Sequence, residues 1–470
     1  MNGMKYVICL GAFLSNLSAG MFNIALVDIA DDFGKSVATT QWVVTIYLLA
    51  VSICLPLMGA VGDMKGKRQV HNAGLFVFML GGLGCALAPN LPALLAFRVL
   101  QGIGASMYQA NNMALIVALF PPDKRGRALG TVSTFVAAGA LIGPSLGGAV
   151  IEWFSWRTNF WLLCAVALGA WLLAQRYLPS DRAAGKAAPD MPGAALFSVS
   201  LTALVLALNL GNAWGWTSAS VWLLFGMFGI AAILFARRSL SERWMASGRH
   251  PFIRLGLFNH AYIIFGVLLT VVTYAAAFAT QLVLPVLLRN VMGVSPAVAG
   301  LIVMAYPVSL IVSAPISGGS SDRFGSAPFI MLGLGGMAAS LTALGFLEAD
   351  TRIVYVVAFV VLLGCSMGLI TAPNNSIIMS RTPKQNLGMM SSMIALNRNL
   401  GMMFGAAFGG LLLSSGSSAP SAALPESGIR EWYVAMASVI LVSLLAFIWI
   451  VKSGGKDRGV EGVQKQESVV

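Results

Sequence analysis

Long stretches of the chain carry no charged residue and are separated by short polar clusters. Examples lie at 36–62, 191–236 and 353–380. A helix needs about 20 apolar residues to cross the hydrocarbon core of a bilayer. Most of the stretches exceed that length, and some are long enough for two crossings. The pattern therefore predicts an all-α polytopic membrane protein.

Glycine, proline, asparagine and charged clusters divide these stretches into fourteen predicted transmembrane helices. The predicted spans are about 4–26, 41–62, 70–88, 93–118, 128–151, 159–177, 193–211, 219–236, 261–287, 298–320, 327–347, 354–379, 388–413 and 431–452.

The fourteen spans are expected to form two six-helix repeats with two extra central helices between them. The expected divisions are an N-terminal half (1–178), a joining segment with the two extra helices and a basic cytoplasmic loop (179–260), a C-terminal half (261–452) and a cytoplasmic tail (453–470).

Composition and charge support a membrane protein and give its orientation. Only 10% of the residues are charged, whereas soluble proteins have about 25%. Most of the 29 Lys and Arg residues lie on one side of the predicted spans. This asymmetry follows the positive-inside rule, so the net charge of +12 is a topology signal and does not indicate nucleic-acid binding. Both termini are expected in the cytoplasm of a bacterial cell.

The five cysteines lie in apolar runs, and the three histidines form no cluster in the sequence. Neither set has the spacing of a metal site. No nucleotide-binding loop of the form G-x-x-x-x-G-K-[ST] occurs either. We expect no metal, no cofactor and no enzymatic activity.

Three sequence features occur twice, in the same order. "PLMGAVGDMKG" (56–66) matches "PISGGSSDRFG" (315–325) at a shift of 259, and "QANN" (109–112) resembles "APNN" (372–375) at a shift of 263. A set of four glycines that begins at Gly139 recurs at a shift of 262. Its first three members lie four residues apart on one helix face, which predicts close packing against a neighbouring helix. Because each copy has six helices, the two copies are expected to have the same orientation in the membrane.

The first repeated segment places an acid and a glycine at the end of a span. Asp63 and Asp322 stand next to basic residues in very short loops, where a carboxylate can hold a neighbouring helix end and release it when the halves move. A simple turn with topology charges is the alternative. The candidate gating latch comprises Gly59, Gly62, Asp63, Gly66, Arg68, Asp322 and Arg323.

A second group of residues places polar side chains within the predicted spans. Arg98 lies about six residues into its span, and a charge there costs roughly 2.5–3.5 kcal/mol on insertion scales, so it should face the protein interior. Gln101, Gln109 and Asn112 share its helix face. Polar side chains also hold helices together without any transport role. The candidate substrate or coupling residues are Asn23, Asp28, Arg98, Gln101, Gln109, Asn112, Asn374, Asn375 and Arg398.

Asp28 is the first candidate for a proton-carrying carboxylate, and Glu152 is the second. Asp28 lies near the predicted outer membrane edge, and an Arg side chain can extend over several ångströms. The distance therefore allows a pair between Asp28 and Arg98 but does not require it. The alternative is that Asp28 is solvated in a loop.

These segments resemble motifs of the major facilitator superfamily. "GAVGDMKGKR" (59–68) is similar to its motif A, "RVLQGIGA" (98–105) to motif B and "GALIGPSLGG" (139–148) to motif C of its exporters. "TQWVVTIYLL" (40–49) and "SWRTNF" (155–160) further resemble the fourteen-helix drug:proton antiporter group. The residues that match the antiporter motif are Gly139, Gly143, Pro144, Gly147 and Gly148.

The resemblance implies a monomeric plasma-membrane antiporter that exports small drug-like molecules in exchange for protons by alternating access. The chain departs from the group in its first helix, where Ser18 stands at the usual Asp, and no acid lies deep in any predicted span. A dedicated exporter of one metabolite, metallophore or lipid-like compound is therefore an alternative. A non-transporting membrane sensor or scaffold is a remote one.

Overall fold

The computed structural model describes residues 2–119, 122–179, 190–240, 261–348, 350–382, 387–415 and 426–453. This part of the chain is all-α. Its fourteen long helices are α1 (Asn2–Phe33), α2 (Trp42–Lys65), α3 (Lys67–Ala86), α4 (Leu91–Leu119), α5 (Pro122–Trp153), α6 (Trp156–Tyr177), α7 (Met191–Trp214), α8 (Ala219–Ser239), α9 (Ala261–Asn290), α10 (Pro296–Phe324), α11 (Ser326–Gly345), α12 (Ile353–Ser380), α13 (Leu387–Ser415) and α14 (Glu426–Ser453).

Each predicted span corresponds to one of these helices, and several helices are longer than the span. The first span was expected to end near residue 26, whereas α1 continues to Phe33. Charged residues end the apolar segment but do not stop an α-helix, and the helix ends only before Gly34, whose φ is +59°. Within the described residues, eleven helices contain a segment long and apolar enough to span a membrane.

The two six-helix halves repeat the same packing. In the N-terminal half, α1 packs against α5, α2 and α3 pack against α4, and α3 also packs against α6. In the C-terminal half, α9 packs against α13, α10 and α11 pack against α12, and α11 also packs against α14. The helices of the halves therefore correspond in order, with α1 matching α9 and α6 matching α14.

Glycine contacts give the register of the repeat in α4 and α12. A Cβ on Gly59 would lie nearest to the Cβ of Ala110, and a Cβ on Gly318 would lie nearest to that of Ala372. Gly59 and Gly318 are 259 residues apart, so Ala110 corresponds to Ala372 at a shift of 262. The shift of 263 from the "QANN" and "APNN" segments was wrong by one residue.

The two extra helices form a hairpin beside one seam between the halves. α7 and α8 pack against each other, and α7 also contacts α2 and α13. The buried Asp190 accepts a hydrogen bond from the backbone N–H of Gly193 at the start of α7 and from Arg238 of α8. This carboxylate thus caps one helix and joins it to the other. The expected linker and basic loop fall largely outside the described residues.

Among the described residues, the halves meet chiefly along three helix pairs. α5 contacts α10, α13 contacts α2, and α1 contacts α9. We call the end of the bundle that holds the α1–α2 and α9–α10 connections the distal end, and the opposite end, which holds the start of α1 and the end of α14, the terminal end. The distal end is the one predicted to face outward.

Candidate transport site and gate

Arg98 is enclosed within the N-terminal half, as the sequence predicted for a membrane arginine. It is 1% exposed. Its Nε donates a hydrogen bond to the carbonyl of Val43 on α2 at 2.9 Å, and its Nη1 donates to Oε1 of Gln101 at 2.7 Å. The guanidinium carbon lies 4.3 Å from the ring centroid of Tyr47 and 4.7 Å from that of Phe22. Aromatic faces and neutral oxygens thus stabilise this charge.

No carboxylate contacts Arg98 among the described residues. Polar atoms nearby are also left without partners, since Tyr47 Oη and Gln101 Nε2 are buried without a hydrogen bond. On α1, the same is true of Ser18 Oγ and Asn23 Oδ1. An unsatisfied buried polar group costs about 1–3 kcal/mol. The two unpartnered groups beside Arg98, on Tyr47 and Gln101, therefore indicate that its surroundings are not arranged for stability alone.

The corresponding positions of the C-terminal half are aliphatic. At the shift of 262, Arg98 matches Val360 and Gln101 matches Leu363, and both aliphatic side chains are buried. The same helix packing therefore needs neither polar group. The two halves share the same helix packing, and at this position the N-terminal half buries an arginine whereas the C-terminal half buries a valine.

The remaining polar candidates fall in different environments. Asn374 donates hydrogen bonds to the carbonyl of Gly266 and to Oγ1 of Thr270, at 2.9 and 3.0 Å, and so joins α12 to α9. Asn375 and Gln109 are half-buried, and Asn112 is buried with its Oδ1 unpartnered. Arg398 is half-buried on α13 and has no hydrogen bond or ion pair with the described residues.

Asp28 pairs with Arg289 and not with Arg98, so the Asp28–Arg98 pair that the sequence allowed is not formed. The two Arg289 nitrogens lie 2.5 and 3.0 Å from the carboxylate oxygens of Asp28, and Nη1 also donates to the carbonyl of Ile24. Asp28 is on α1 and Arg289 is on α9. The ion pair therefore joins the two halves at the distal end.

Glu152 makes a second bridge between the halves at the same end. Its Oε2 accepts hydrogen bonds from Ser295 Oγ at 3.2 Å and from the backbone N–H of Ala297 at 3.0 Å. Both donors lie at the start of α10, where free N–H groups and the helix dipole favour a negative charge. This carboxylate from α5 thus caps a helix of the other half.

Two further contacts join the halves at backbone carbonyls, and they involve equivalent positions of the two repeats. Gln41 Nε2 donates a hydrogen bond to the carbonyl of Ala406 on α13, and a Cβ on Gly300 of α10 would contact the carbonyl of Pro144 on α5. Gln41 corresponds to Gly300 at the shift of 259, and Pro144 corresponds to Ala406 at 262. We call this set of distal contacts, formed by Gln41, Ala406, Gly300, Pro144 and the Asp28 and Glu152 bridges, the distal gate.

The predicted antiporter motif lies between α1 and the distal gate. Gly139, Gly143 and Gly147 face the backbone of α1, where an added Cβ would contact Phe13, Leu17 and Met21, respectively. Gly148 faces Pro296 at the start of α10. The prediction that these small residues allow close packing is confirmed by their neighbours, and Gly148 extends the contact to the other half.

The latch candidates comprise glycines that allow turns or close packing and charged residues that could form contacts. Gly66 and Gly325 have φ of +101° and +83°, which explains why both copies carry glycine at the tight turn after the span. An added Cβ on Gly62 would collide with Asn111 of α4. The side chains of Asp63 and Asp322 lie outside the described residues, so the latch stays a prediction.

The basic latch candidates do not bridge the halves among the described contacts. Arg68 donates a hydrogen bond at 3.0 Å to the carbonyl of Gln175 near the end of α6, within its own half. Arg323 is exposed. A cation at a helix C-terminus is favoured by the helix dipole, so a packing role accounts for the position of Arg68.

Several residues of the site and gate were not singled out from the sequence. Arg289 was assigned only to the topology pattern, and Gln41, Asn111 and His71 were not among the candidates. A signal did exist for Gln41, which lies in the segment that resembles the fourteen-helix group. For Arg289, the sequence contains no indication that its partner is 261 residues away.

The chain is similar to known transporters over most of its length. The family model described as Major Facilitator Superfamily matches residues 8–273 and 266–469. The Riboflavin transporter RibZ of Clostridioides difficile is 30% identical over 86% of each chain. The Tetracenomycin C resistance and export protein of Streptomyces glaucescens is 29% identical over 90% of this chain and 79% of that protein. Multidrug resistance protein Stp of Mycobacterium tuberculosis is 28% identical over 87% and 75%.

A solved structure has the same fold. The crystal structure of a mutant of the peptide transporter POT in complex with sulfate superposes with a TM-score of 0.69, at 15% identity, over 96% of this chain and 95% of that one. The helices, the duplicated packing and the family match agree. The chain belongs to the Major Facilitator Superfamily and is a multi-pass membrane transporter, not an enzyme.

Proposed function

We propose that this transporter exports small organic molecules across the bacterial plasma membrane in exchange for protons, by alternating access. The distal gate carries the proposal. It consists of an ion pair, a helix-capping carboxylate and close backbone contacts, all between the halves and all at one end of the bundle. Such contacts can break and re-form when two rigid halves rock.

The structure corresponds, in this proposal, to the inward-facing state. The positive-inside pattern supports a cytoplasmic location of the chain termini, and the distal gate is closed at the opposite end. At the terminal end, the repeat-related glycines Gly59 and Gly318 face Ala110 and Ala372 of their own halves. We further propose that the protein works as a monomer with both termini in the cytoplasm.

Cargo is proposed to be a small organic molecule without an obligatory positive charge. Arg398 is half-buried and unpaired in the described structure, and Arg98 is enclosed without an acid. No carboxylate of the described residues lies deep in the bundle to attract a cation. Relatives named for riboflavin and tetracenomycin C transport support an aromatic, uncharged cargo.

A dedicated exporter of a single compound is the second candidate, and the similarity to the Riboflavin transporter RibZ favours it. A metabolite, a metallophore or a lipid-like compound would fit the same description. The number of compounds transported distinguishes a multidrug exporter from a dedicated one. The sensor or scaffold alternative does not agree with membership of a transporter family.

Purified protein in lipid vesicles tests the proposal directly. The probes are two fluorescent compounds, riboflavin, which is uncharged, and ethidium, which is a cation. A pH gradient is imposed across the vesicle membrane, and a pH-sensitive dye inside the vesicles reports proton flux. We expect concentrative movement of riboflavin with proton flux in the opposite direction. Movement of neither probe would contradict export of such molecules, and riboflavin movement without proton flux would contradict proton antiport.

A further inference from the structure

A buried histidine occupies the membrane part of α3. His71 is fully buried, and its Nδ1 lies 3.3 Å from Oδ1 of Asn72. Its Nε2 has no hydrogen-bond partner among the described residues. Histidine is the side chain whose ordinary protonation equilibrium lies nearest to neutral pH. A buried imidazole with a free nitrogen is therefore able to accept a proton.

Three helices meet around this nitrogen. A Cβ on Gly11 of α1 would lie 3.3 Å from Cδ2 of Tyr108, 3.6 Å from Nε2 of His71 and 3.7 Å from Nδ2 of Asn112. Tyr108 and Asn112 come from α4, and Oδ1 of Asn112 is also buried without a partner. The glycine keeps α1 close to α3 and α4, and the amide nitrogen of Asn112 faces the same small region as Nε2 of His71.

The repeat shows that helix packing does not require these side chains. At the shift of 259, His71 corresponds to Ile330 of α11, and at 262, Tyr108 corresponds to Ile370 of α12. Both isoleucines are fully or almost fully buried. The C-terminal half thus packs the same helices with aliphatic residues. The polar pair is a specific property of the N-terminal half.

Hydrogen-bonding groups lead away from His71 in two directions. Asn72 lines a groove of about 460 Å³ between α3 and α6, near the terminal end, together with Gln69 and Gln175. In the other direction, the ring of Tyr108 packs edge-on against the imidazole, with centroids 6.3 Å apart. Its Oη lies 2.7 Å from Oγ of Ser15, which is half-buried on α1. His71 thus lies between the groove near the terminal end and Ser15 of α1. The same helix carries the gate residue Asp28.

The charged and titratable groups around His71 are few. Tyr108 faces it from α4, and the described contacts from α1 contribute no charge. Lys67 and Arg68 precede it on α3, and Arg68 is directed to the carbonyl of Gln175 on α6. Lys65 at the end of α2 and Arg176 on α6 are exposed. No carboxylate among the described side chains pairs with the imidazole.

Burial without a counter-ion stabilises the neutral imidazole, because removing water from an imidazolium costs free energy. A change in helix packing that admits water to Nε2 would favour proton uptake. Protonation at this position is thus sensitive to the conformation of α1, α3 and α4, and α1 also carries the gate residue Asp28.

We propose that His71 is the proton-binding site that couples export to the proton gradient, with Nε2 accepting a proton from the side of Ser15 and Tyr108 when the distal gate is open and losing that same proton toward the groove at the terminal end when the gate is closed. One proton is bound and one is released in each cycle, and no other bond changes. This inference rests on the proposed proton antiport.

The test uses the full-length protein in vesicles with riboflavin and ethidium as probes. His71→Gln keeps the size and hydrogen bonding of the side chain but cannot take up a proton. His71→Ile introduces the residue of the other half and serves as a second variant if the first folds poorly. The matched control is Ile330→Val at the equivalent buried position. Probe-driven proton flux and probe counterflow without a pH gradient are measured separately.

We expect both His71 variants to lose probe-driven proton flux while counterflow continues at a rate close to that of the wild type. The Ile330→Val control should retain both. A His71 variant that retains proton flux would overturn the inference, and loss of counterflow in both His71 variants would assign the residue to packing and also overturn it. Absence of proton flux in the wild type would instead contradict the proposed antiport itself.

Discussion

At the scale of single residues, the two arginines Arg98 and Arg289 are stabilised in different ways. Arg98 is enclosed by Tyr47, Phe22 and neutral oxygens within one half. Arg289 reaches across to Asp28 in the other half, and the two side chains remain 13% and 23% exposed. An enclosed charge is fixed by its surroundings, whereas a partly exposed pair can separate at low cost. The second arrangement suits a contact that must open in every cycle.

Exchange of the charges of the distal ion pair tests its role. Asp28→Asn should slow riboflavin export by a factor between about 1.4 and 5, since a partly exposed pair contributes roughly 0.2–1 kcal/mol. Arg289→Gln should have a similar effect. The double exchange Asp28→Arg with Arg289→Asp should recover part of the rate, measured in vesicles. Equal rates for the single variants and the wild type would exclude a gating role for the pair.

The interior position of Arg98 could be predicted at this scale, because a charge facing lipid is costly, and Gln101 was predicted to share its helix face. The partner of Asp28 could not. The sequence suggested Arg98 from depth alone, whereas the choice of Arg289 depends on how α1 meets α9. That contact is a property of the assembled halves and leaves no local pattern.

At the scale of helices, glycine decides how closely the halves approach. Gly300 of α10 faces the carbonyl of Pro144 on α5, and Gly148 of α5 faces Pro296. The glycine spacing in α5 predicted close packing with a neighbouring helix. It did not indicate that α1 receives three of the glycines while α10 receives Gly148, because the neighbours of a helix face depend on the bundle.

A single added methyl group should open the distal gate. The Cβ in Gly300→Ala would lie 3.1 Å from the Pro144 carbonyl carbon, and backbone atoms cannot retreat as a side chain can. Such overpacking costs about 1–3 kcal/mol, so α10 should move away from α5. The measurement is the rate at which an impermeant maleimide labels a cysteine placed at Ala299, in a background without the native cysteines, and that rate should rise.

Gly319→Ala is the matched control in the same helix, because no described atom lies within 4 Å of an added Cβ there. It should leave the labelling of the cysteine at position 299 unchanged. If Gly300→Ala labels no faster than this control, the close contact between α10 and α5 does not keep the gate closed.

At the scale of the whole molecule, the two halves have the same helix packing but different buried side chains at equivalent positions. The sequence predicted fourteen helices and two parallel repeats from charge-free stretches and recurring glycines, and the fold has both. The order of the helices around the bundle required three-dimensional contacts between residues hundreds of positions apart. The register between α4 and α12 also depends on these contacts, since a shift of 263 would pair Arg98 with the exposed Val361 instead of the buried Val360.

The central claim is that the distal gate opens and closes in each transport cycle. In a cysteine-free, transport-competent background, Glu152→Cys and Ser295→Cys place two thiols at positions whose native side chains lie 3.2 Å apart. We expect a short bifunctional thiol reagent to link them, to stop riboflavin export, and to leave single-cysteine variants active. Export by the linked protein at the rate of the unlinked protein would contradict the account.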